Sequence, residues 1–286
     1  MNKLNIKTIF DNDSHTYTYV VWDSETRKSA IIDSVLDYNH KNVVTLTKLA
    51  DEVVEFVKEN NLENEWILET HMHADHISAS SYLKEKIGGK KVIGSKVVVV
   101  QEYLKEVFEL NENFKTDGSQ FDKLFDDGEE FMIGNLKAKA IHSPGHTPAD
   151  MVYLVEGTIF AGDTLMAPDI GTARCDFPGG SAGTLYKSVR NILENFPSDT
   201  KIFLCHDYGE EKGRENNCIT TVGEQRKNNV QIKDGVTMDE YVKFRTERDK
   251  TLDLPTYIFP SVQINGNAGD LIPGEFIKLT YNKKVL

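Results

Sequence analysis

Three strand-like apolar runs separated by turn residues open the chain, at Leu4–Phe10, Thr16–Trp22 and Ser29–Asp33. The period then changes. Leu46, Leu49, Val53, Phe56 and Val57 recur at helical spacing, which predicts an amphipathic helix over Val43–Asn60 packed on a sheet. A short apolar strand, Glu65–Thr70, runs directly into a polar hexapeptide, and Ser78–Ile87 then reads as a helix ended by Gly88-Gly89. Further on, Phe131–Ile141 and Met151–Ala161 are rich in strand formers. Between Gly183 and Phe196 the residues Leu185, Val189, Ile192, Leu193 and Phe196 form one helical face. One more strand, Lys201–Leu204, precedes a tail with helical stretches near Thr220–Asn229 and Met238–Leu252.

Strands and helices therefore alternate, and four polar clusters each follow a strand. This implies an α/β chain of layered sheets flanked by helices, with the clusters converging at one edge. No low-complexity segment, repeat or long Pro/Gly/Ser linker divides the chain, so residues 1–286 are expected to form a single domain, with a C-terminal extension from about 209 to 286 packing on its core.

Composition narrows the function. The 39% hydrophobic content suffices for a sizeable core. A formal charge of −12 would repel a phosphate backbone or an anionic membrane, which argues against nucleic-acid and membrane partners. The N-terminus lacks a signal-type apolar stretch and no run is long enough for a membrane span, so a cytoplasmic location is expected. Three cysteines, Cys175, Cys205 and Cys218, without a CxxC spacing, predict reduced thiols and exclude an all-cysteine zinc site.

The densest chemical signal is His71-Met72-His73-Ala74-Asp75-His76, four potential ligands in six residues. Imidazole and carboxylate suit zinc, iron or manganese, and the i, i+2 spacing lets two imidazoles on one tight loop face the same ion. Ser143-Pro144-Gly145-His146-Thr147 adds a histidine in a turn shaped by proline and glycine. Asp163, in Phe160-Ala161-Gly162-Asp163-Thr164, and His206, in Leu204-Cys205-His206-Asp207, each follow an apolar strand. Either alone reads more readily as a hydrogen-bonded strand-end residue than as a ligand; as members of a set they complete a metal centre.

HxHxDH followed by a distant His, an Asp and a His, in this order, resembles the metallo-β-lactamase superfamily, and all seven positions match. The resemblance implies an αββα sandwich of two mixed sheets flanked by helices, with the metal site at the sheet edge. In two-metal members, residues matching His71, His73 and His146 hold one ion and those matching Asp75, His76 and His206 hold the second. The residue matching Asp163 bridges them.

A narrower resemblance, to the bacterial persulfide dioxygenases (sulfur dioxygenases, related to glyoxalase II), rests on Thr70–Ile77, Ser143–Pro148, Gly171-Thr172-Ala173-Arg174-Cys175-Asp176-Phe177-Pro178-Gly179-Gly180 and His206-Asp207-Tyr208-Gly209. It implies one Fe2+ per chain held by His71, His146 and Asp163, with His73, Asp75, His76 and His206 around them. Two histidines and a carboxylate leave open positions for substrate and O2. The implied reaction takes a thiol persulfide, such as glutathione persulfide, and O2 to sulfite and free thiol. A homodimer is compatible with the resemblance, since dimers are common in that family.

Arg174 and Tyr208 match positions near the iron and persulfide, and with His206 they are the catalytic candidates. Arg174 either neutralises an anionic substrate or anchors its loop through Asp176, and the Tyr208 hydroxyl is a donor. The segment Met166–Thr172 departs from the animal-type pattern toward the bacterial branch. Arg226 and Lys187 are candidates for the carboxylates of a glutathione-like thiol. Cys175 and Cys205 read as buried thiols, His142 as pointing away from the site, and His15 and His40 as surface residues. The competing reading is a zinc or dinuclear thioester hydrolase of the glyoxalase II type, which shares every ligand. A nuclease is disfavoured by the charge, and a persulfide sensor without turnover is the non-catalytic alternative.

Overall fold

A computed structural model describes residues 3–110 and 112–271. The first sheet runs in the order β1 (Leu4–Asp11), β2 (Thr16–Asp23), β3 (Lys28–Ile32), β4 (Glu63–Leu68), β5 (Lys90–Gly94) and β6 (Lys123–Phe125). Its first two pairings are antiparallel and the rest parallel. The second sheet follows as β7 (Glu130–Ile133), β8 (Leu136–His142), β9 (Met151–Val155), β10 (Thr158–Phe160), β11 (Lys201–Phe203) and β12 (Ile219–Thr221). There only β10 and β11 run parallel.

Alternation along the strands decides the layers. In β2, Tyr19 and Val21 face the second sheet and join Phe125, Tyr153, Phe160 and Phe203 in the inter-sheet core. The intervening Val20 faces the other way, with Ile31 and Ile67, onto α1 (Lys48–Glu59) and α2 (Ser80–Ile87). The outer face of the second sheet, through Val152, Ile159 and Ile202, packs under α4 (Ala182–Asn195) and α6 (Met238–Asp249). Central strands buried on both faces need apolar residues at every position, which is why β2 and β3 read as nearly continuous runs. Two further helices, α3 (Val97–Val107) and α7 (Ile258–Asn265), pack together beside the end of β4, and α5 (Val222–Asn228) follows β12. This is a helix–sheet–sheet–helix sandwich of mixed sheets, as expected.

At one edge the two sheets are joined by backbone hydrogen bonds: Met151 N–H donates to Thr70 C=O at 2.8 Å and Tyr17 N–H to Cys205 C=O at 2.7 Å. The strand ends carrying the polar clusters are thereby fixed against one another.

Several boundaries differ from the sequence reading. The helix expected over Val43–Asn60 begins at Lys48, because Val44–Thr45 pairs with Tyr38–Asn39 as a small ribbon; Val43 and Leu46 are exposed. Ile77–Ser78 pairs with Val35–Leu36, so α2 starts at Ser80. Thr220 and Thr221 belong to β12, and the Thr221 hydroxyl caps α5 by accepting from Glu224 N–H. Residues 272–286 of the expected C-terminal extension lie outside the described residues. Cys175 and Cys205 are buried and Cys218 half-buried, all as free thiols. Among the described residues no helix is long and apolar enough to cross a membrane.

Candidate metal centre

Four strand ends supply the polar clusters to one place. The loop 70–76 leaves β4, Ser143–Thr147 leaves β8, a short 3-10 turn at Gly162–Thr164 follows β10, and Cys205–Asp207 follows β11. Gly162 has φ +51°, and a Cβ there would stand 2.6 Å from the Thr70 hydroxyl, so only glycine lets the Asp163 turn lie against the His71 loop. Asn265, at the end of α7, clamps that loop. Its Nδ2 donates to the carbonyls of His73 (2.9 Å) and His76 (2.8 Å), and its Oδ1 accepts from Ser78 N–H at 2.8 Å.

One set of donors converges on Asp163. His71 Nε2 and His146 Nε2 lie 3.9 and 3.6 Å from Asp163 Oδ2, and the ligand atoms of the three residues fall within 4.8 Å of one another. Hydrogen bonding sets both tautomers. His146 Nδ1–H donates to the Arg174 carbonyl at 2.7 Å. The Thr70 hydroxyl gives its proton to Asp33 at 2.9 Å and accepts from His71 Nδ1–H at 3.1 Å. In both rings the Nε2 lone pair is therefore left facing the carboxylate. Burial, with His73 nearby, holds His71 well below its ordinary pKa, so it stays neutral and free to meet a cation.

Of the remaining motif residues, His73, His76 and His206 are fully buried, whereas Asp75 is half-buried. His206 Nε2 is 3.2 Å from both Asp75 Oδ2 and Asp163 Oδ1, and His76 Nδ1 is 3.3 Å from Asp75 Oδ1. The Thr16 hydroxyl stands between His76 Nδ1 (3.3 Å) and His206 Nδ1 (3.2 Å). His73 Nε2 meets Asp33 at 3.1 Å and Glu69 at 3.5 Å. Burial works against charging His206, yet Asp75 and Asp163 push it up to about 9. His73 is likewise raised despite its burial, by Asp33 and Glu69. Burial also disfavours the Asp163 carboxylate, but the charge and hydrogen bond of the His206 imidazole outweigh it and hold its pKa well down.

His73 Nδ1, His76 Nε2, His206 Nε2 and Asp163 Oδ1 are buried without an aligned hydrogen-bond partner. Several orphaned nitrogen and carboxylate atoms at one point are costly unless a cation meets them, and this donor set of imidazole and carboxylate fits zinc, iron or manganese. His73 also groups with Asp75 and His76 and with Cys205 and His206 within ligand range of one another, so the same residues could hold either one ion or two.

A cavity of about 560 Å³ opens on the centre, a volume suited to a small organic ligand. His71, Asp75, His146 and Asp163 line it; His73, His76 and His206 do not. Arg174 and Tyr208 line it too. The Arg174 guanidinium is paired with Asp176 (2.7 and 2.8 Å), donates to the Asp253 carbonyl and lies 4.9 Å from the Phe177 ring, which makes it a loop anchor. The Tyr208 ring packs 5.1 Å from His15 and 6.3 Å from His206, and burial raises its phenol strongly, so it remains a proton donor. Lys187 is exposed on α4 and Arg226 pairs with Asp234 on α5 at 2.9 Å; neither lines the cavity. The cationic residues found at its exposed mouth are instead Lys212 and Arg248.

His15, expected at the surface, is half-buried and lines the cavity, because the turn before β2 folds over Tyr208. His40 is exposed, and His142 turns away to the Pro148 carbonyl at 2.8 Å. Burial raises the thiols of Cys175 and Cys205, which fits inert packing. Sequence reasoning missed Asp33, Glu69, Thr16 and Asn265, the residues that hold the motif loops. The one signal was Asp33 and Glu69 each ending an apolar strand.

The profile described as "Metallo-beta-lactamase superfamily" matches residues 11–206. A protein named glyoxylase B2 from Dictyostelium discoideum is 48% identical, over 99% of this chain and 97% of its own length. The mitochondrial persulfide dioxygenase ETHE1 of Bos taurus is 29% identical over 83% of this chain and 79% of its own. Among solved structures, ETHE1 from Myxococcus xanthus superposes with a TM-score of 0.74 at 27% identity, covering 93% of this chain and all of that one.

Proposed function

The chain belongs to the metallo-beta-lactamase superfamily, and from that premise we propose that it is an iron-dependent persulfide dioxygenase, converting a thiol persulfide and O2 to sulfite and free thiol. The observation that carries this reading is the orientation of the centre. His71, His146 and Asp163, two imidazoles and one carboxylate, are the tight donor group bordering the 560 Å³ cavity. Ferrous iron held by them would supply the redox chemistry that O2 activation requires, and the cavity would receive the thiol substrate beside it.

The protein's own residues prepare that place. The Arg174 carbonyl and Thr70 hydroxyl fix the tautomers of His146 and His71. Asp163 stays ionised and supplies the negative charge that a dication needs. Tyr208 keeps its proton and serves as a donor to the sulfur or to oxygen-bearing groups in the cavity. Lys212 and Arg248 at the mouth complement the carboxylates of a peptide-like thiol carrier.

The second reading, a thioester hydrolase, draws on the deeper donors. Orphaned His76 Nε2 and His206 Nε2, beside Asp75 and Asp163, are what a second ion would use, and the Dictyostelium relative is named a glyoxylase. Oxygen demand separates the two. The ferrous protein should consume O2 with glutathione persulfide and release sulfite in proportion, fall silent under nitrogen, and lose turnover when zinc replaces iron. Oxygen-independent cleavage of S-lactoylglutathione by the zinc form, with no sulfite from the ferrous form, would overturn the dioxygenase reading.

A further inference from the structure

A second, smaller compartment of about 70 Å³ lies beside the polar cavity, between α3 and α7. Val100, Leu104 and Val107 of α3 face Ile258 and Val262 of α7 across it, with Met72 of the histidine loop at its floor. Ala74, His146 and Phe177 line both compartments. The His146 and Phe177 rings meet edge to face, with centroids 5.5 Å apart. One face of His146 thus borders the apolar compartment while its Nε2 points to Asp163.

We propose that this apolar compartment is a dioxygen site and entry route to the metal centre, separate from the polar cavity that receives the thiol substrate; the proposal rests on the dioxygenase reading. Chemistry distinguishes the possible occupants. Water needs two to four polar partners to stay in a cavity, and the wall is almost wholly apolar. Its Thr147 hydroxyl is already committed to Asp150 and to Ala149 N–H. A persulfide is anionic at neutral pH and pays heavily to enter such a space. The compartment is also far smaller than the 560 Å³ cavity, too small for a peptide-sized thiol. A small apolar gas fits both volume and lining, as xenon does in dry apolar cavities. Its position completes the case, since His146 lines both compartments, so a gas held here lies against a residue of the metal centre without entering the polar cavity.

The test uses the full chain and two variants that fill the compartment from opposite walls, Val100→Phe and Val262→Phe, both at half-buried positions. Xenon-pressurised crystals or xenon NMR of the metal-free protein should show xenon between α3 and α7, lost in both variants whose thermal midpoints stay near the parent's. In the iron-loaded protein the KM for O2 should rise severalfold, while the KM for persulfide and kcat at saturating O2 hold. Absence of xenon from this compartment overturns the proposal, as does an unchanged KM for O2 in both variants. A rise in the persulfide KM instead assigns the space to the substrate and also overturns it. If the ferrous parent takes up no O2 at all, the dioxygenase reading itself has failed and this proposal goes with it.

Discussion

His71, His146 and Asp163 border the cavity, whereas His73, His76 and His206 are turned inward, although all are presented by the same four strand ends. The two groups differ in what holds them. On the cavity side each imidazole spends its Nδ1–H on a carbonyl or hydroxyl and leaves Nε2 bare. On the inner side the imidazoles lie against carboxylates, Asp33 and Glu69 for His73 and Asp75 for His76 and His206, which raise the basicity of His73 and His206. The inner rings too keep a nitrogen without an aligned partner, at His73 Nδ1, His76 Nε2 and His206 Nε2, so both sides offer donors to a cation and the neighbouring carboxylates are what sets the inner rings apart. Motif identity alone does not separate the two sides. The partners of each ring do.

The sharpest way to break this division is to remove its cavity side. Asp163→Ala should abolish metal retention and turnover, because two neutral imidazoles are left to hold a dication, and His71→Ala and His146→Ala should behave alike. Elemental analysis of protein purified without added metal reads this directly; full metal content and turnover in any of the three would end the assignment. On the inner side, His73→Ala and His206→Ala should keep much of the iron while losing about 10–100-fold in activity, the usual effect of altering groups around a metal's ligands. Complete metal loss from His73→Ala would mean that the orphaned His73 Nδ1 is a ligand, and would move the site toward the two-ion hydrolase arrangement.

Much of the fold was legible because its signals are local. The strand runs from Leu4 to Asp33, the helical face of α4 and the four polar clusters each declare themselves within a few residues. What was lost depends on distant pairing. Val43–Thr45 continues the helical period of α1, and only its pairing with Tyr38–Asn39 makes it a ribbon. The stretch Val97–Val107 begins with four valines, a strand-like composition, yet tertiary packing against α7 and Phe121 holds it as a helix. The candidate donor positions were readable from spacing, but their supports were not. Asn265 grips the histidine loop from about 190 residues away, a relation no local pattern carries. Asp33 looks like any polar strand end until β3 and β4 pair in parallel and bring it to Thr70 and His73.

Arg214 tests whether the inner side depends on such remote support. Its guanidinium forks onto Asp207 at 2.6 and 2.8 Å, directly after His206, and onto Asp169 at 2.7 and 2.8 Å, in the segment that follows Asp163. Asp207 is wholly buried, and its carboxyl is met by that fork and by the Asn217 N–H at 2.7 Å. Arg214→Lys keeps the charge but not the planar pair of bidentate contacts. Because a hydrogen bond to a charged group is worth roughly 1.5–3 kcal/mol and lysine recovers part of it, the expected loss is about 1–2 kcal/mol in urea unfolding. The two sides of the centre should then respond unequally: iron content stays near the parent's because His71 and His146 lie on other loops, while turnover drops modestly as His206 and the Met166–Thr172 segment loosen. Iron lost in step with stability would show instead that the His206 loop bears on the metal as strongly as the cavity-facing residues do.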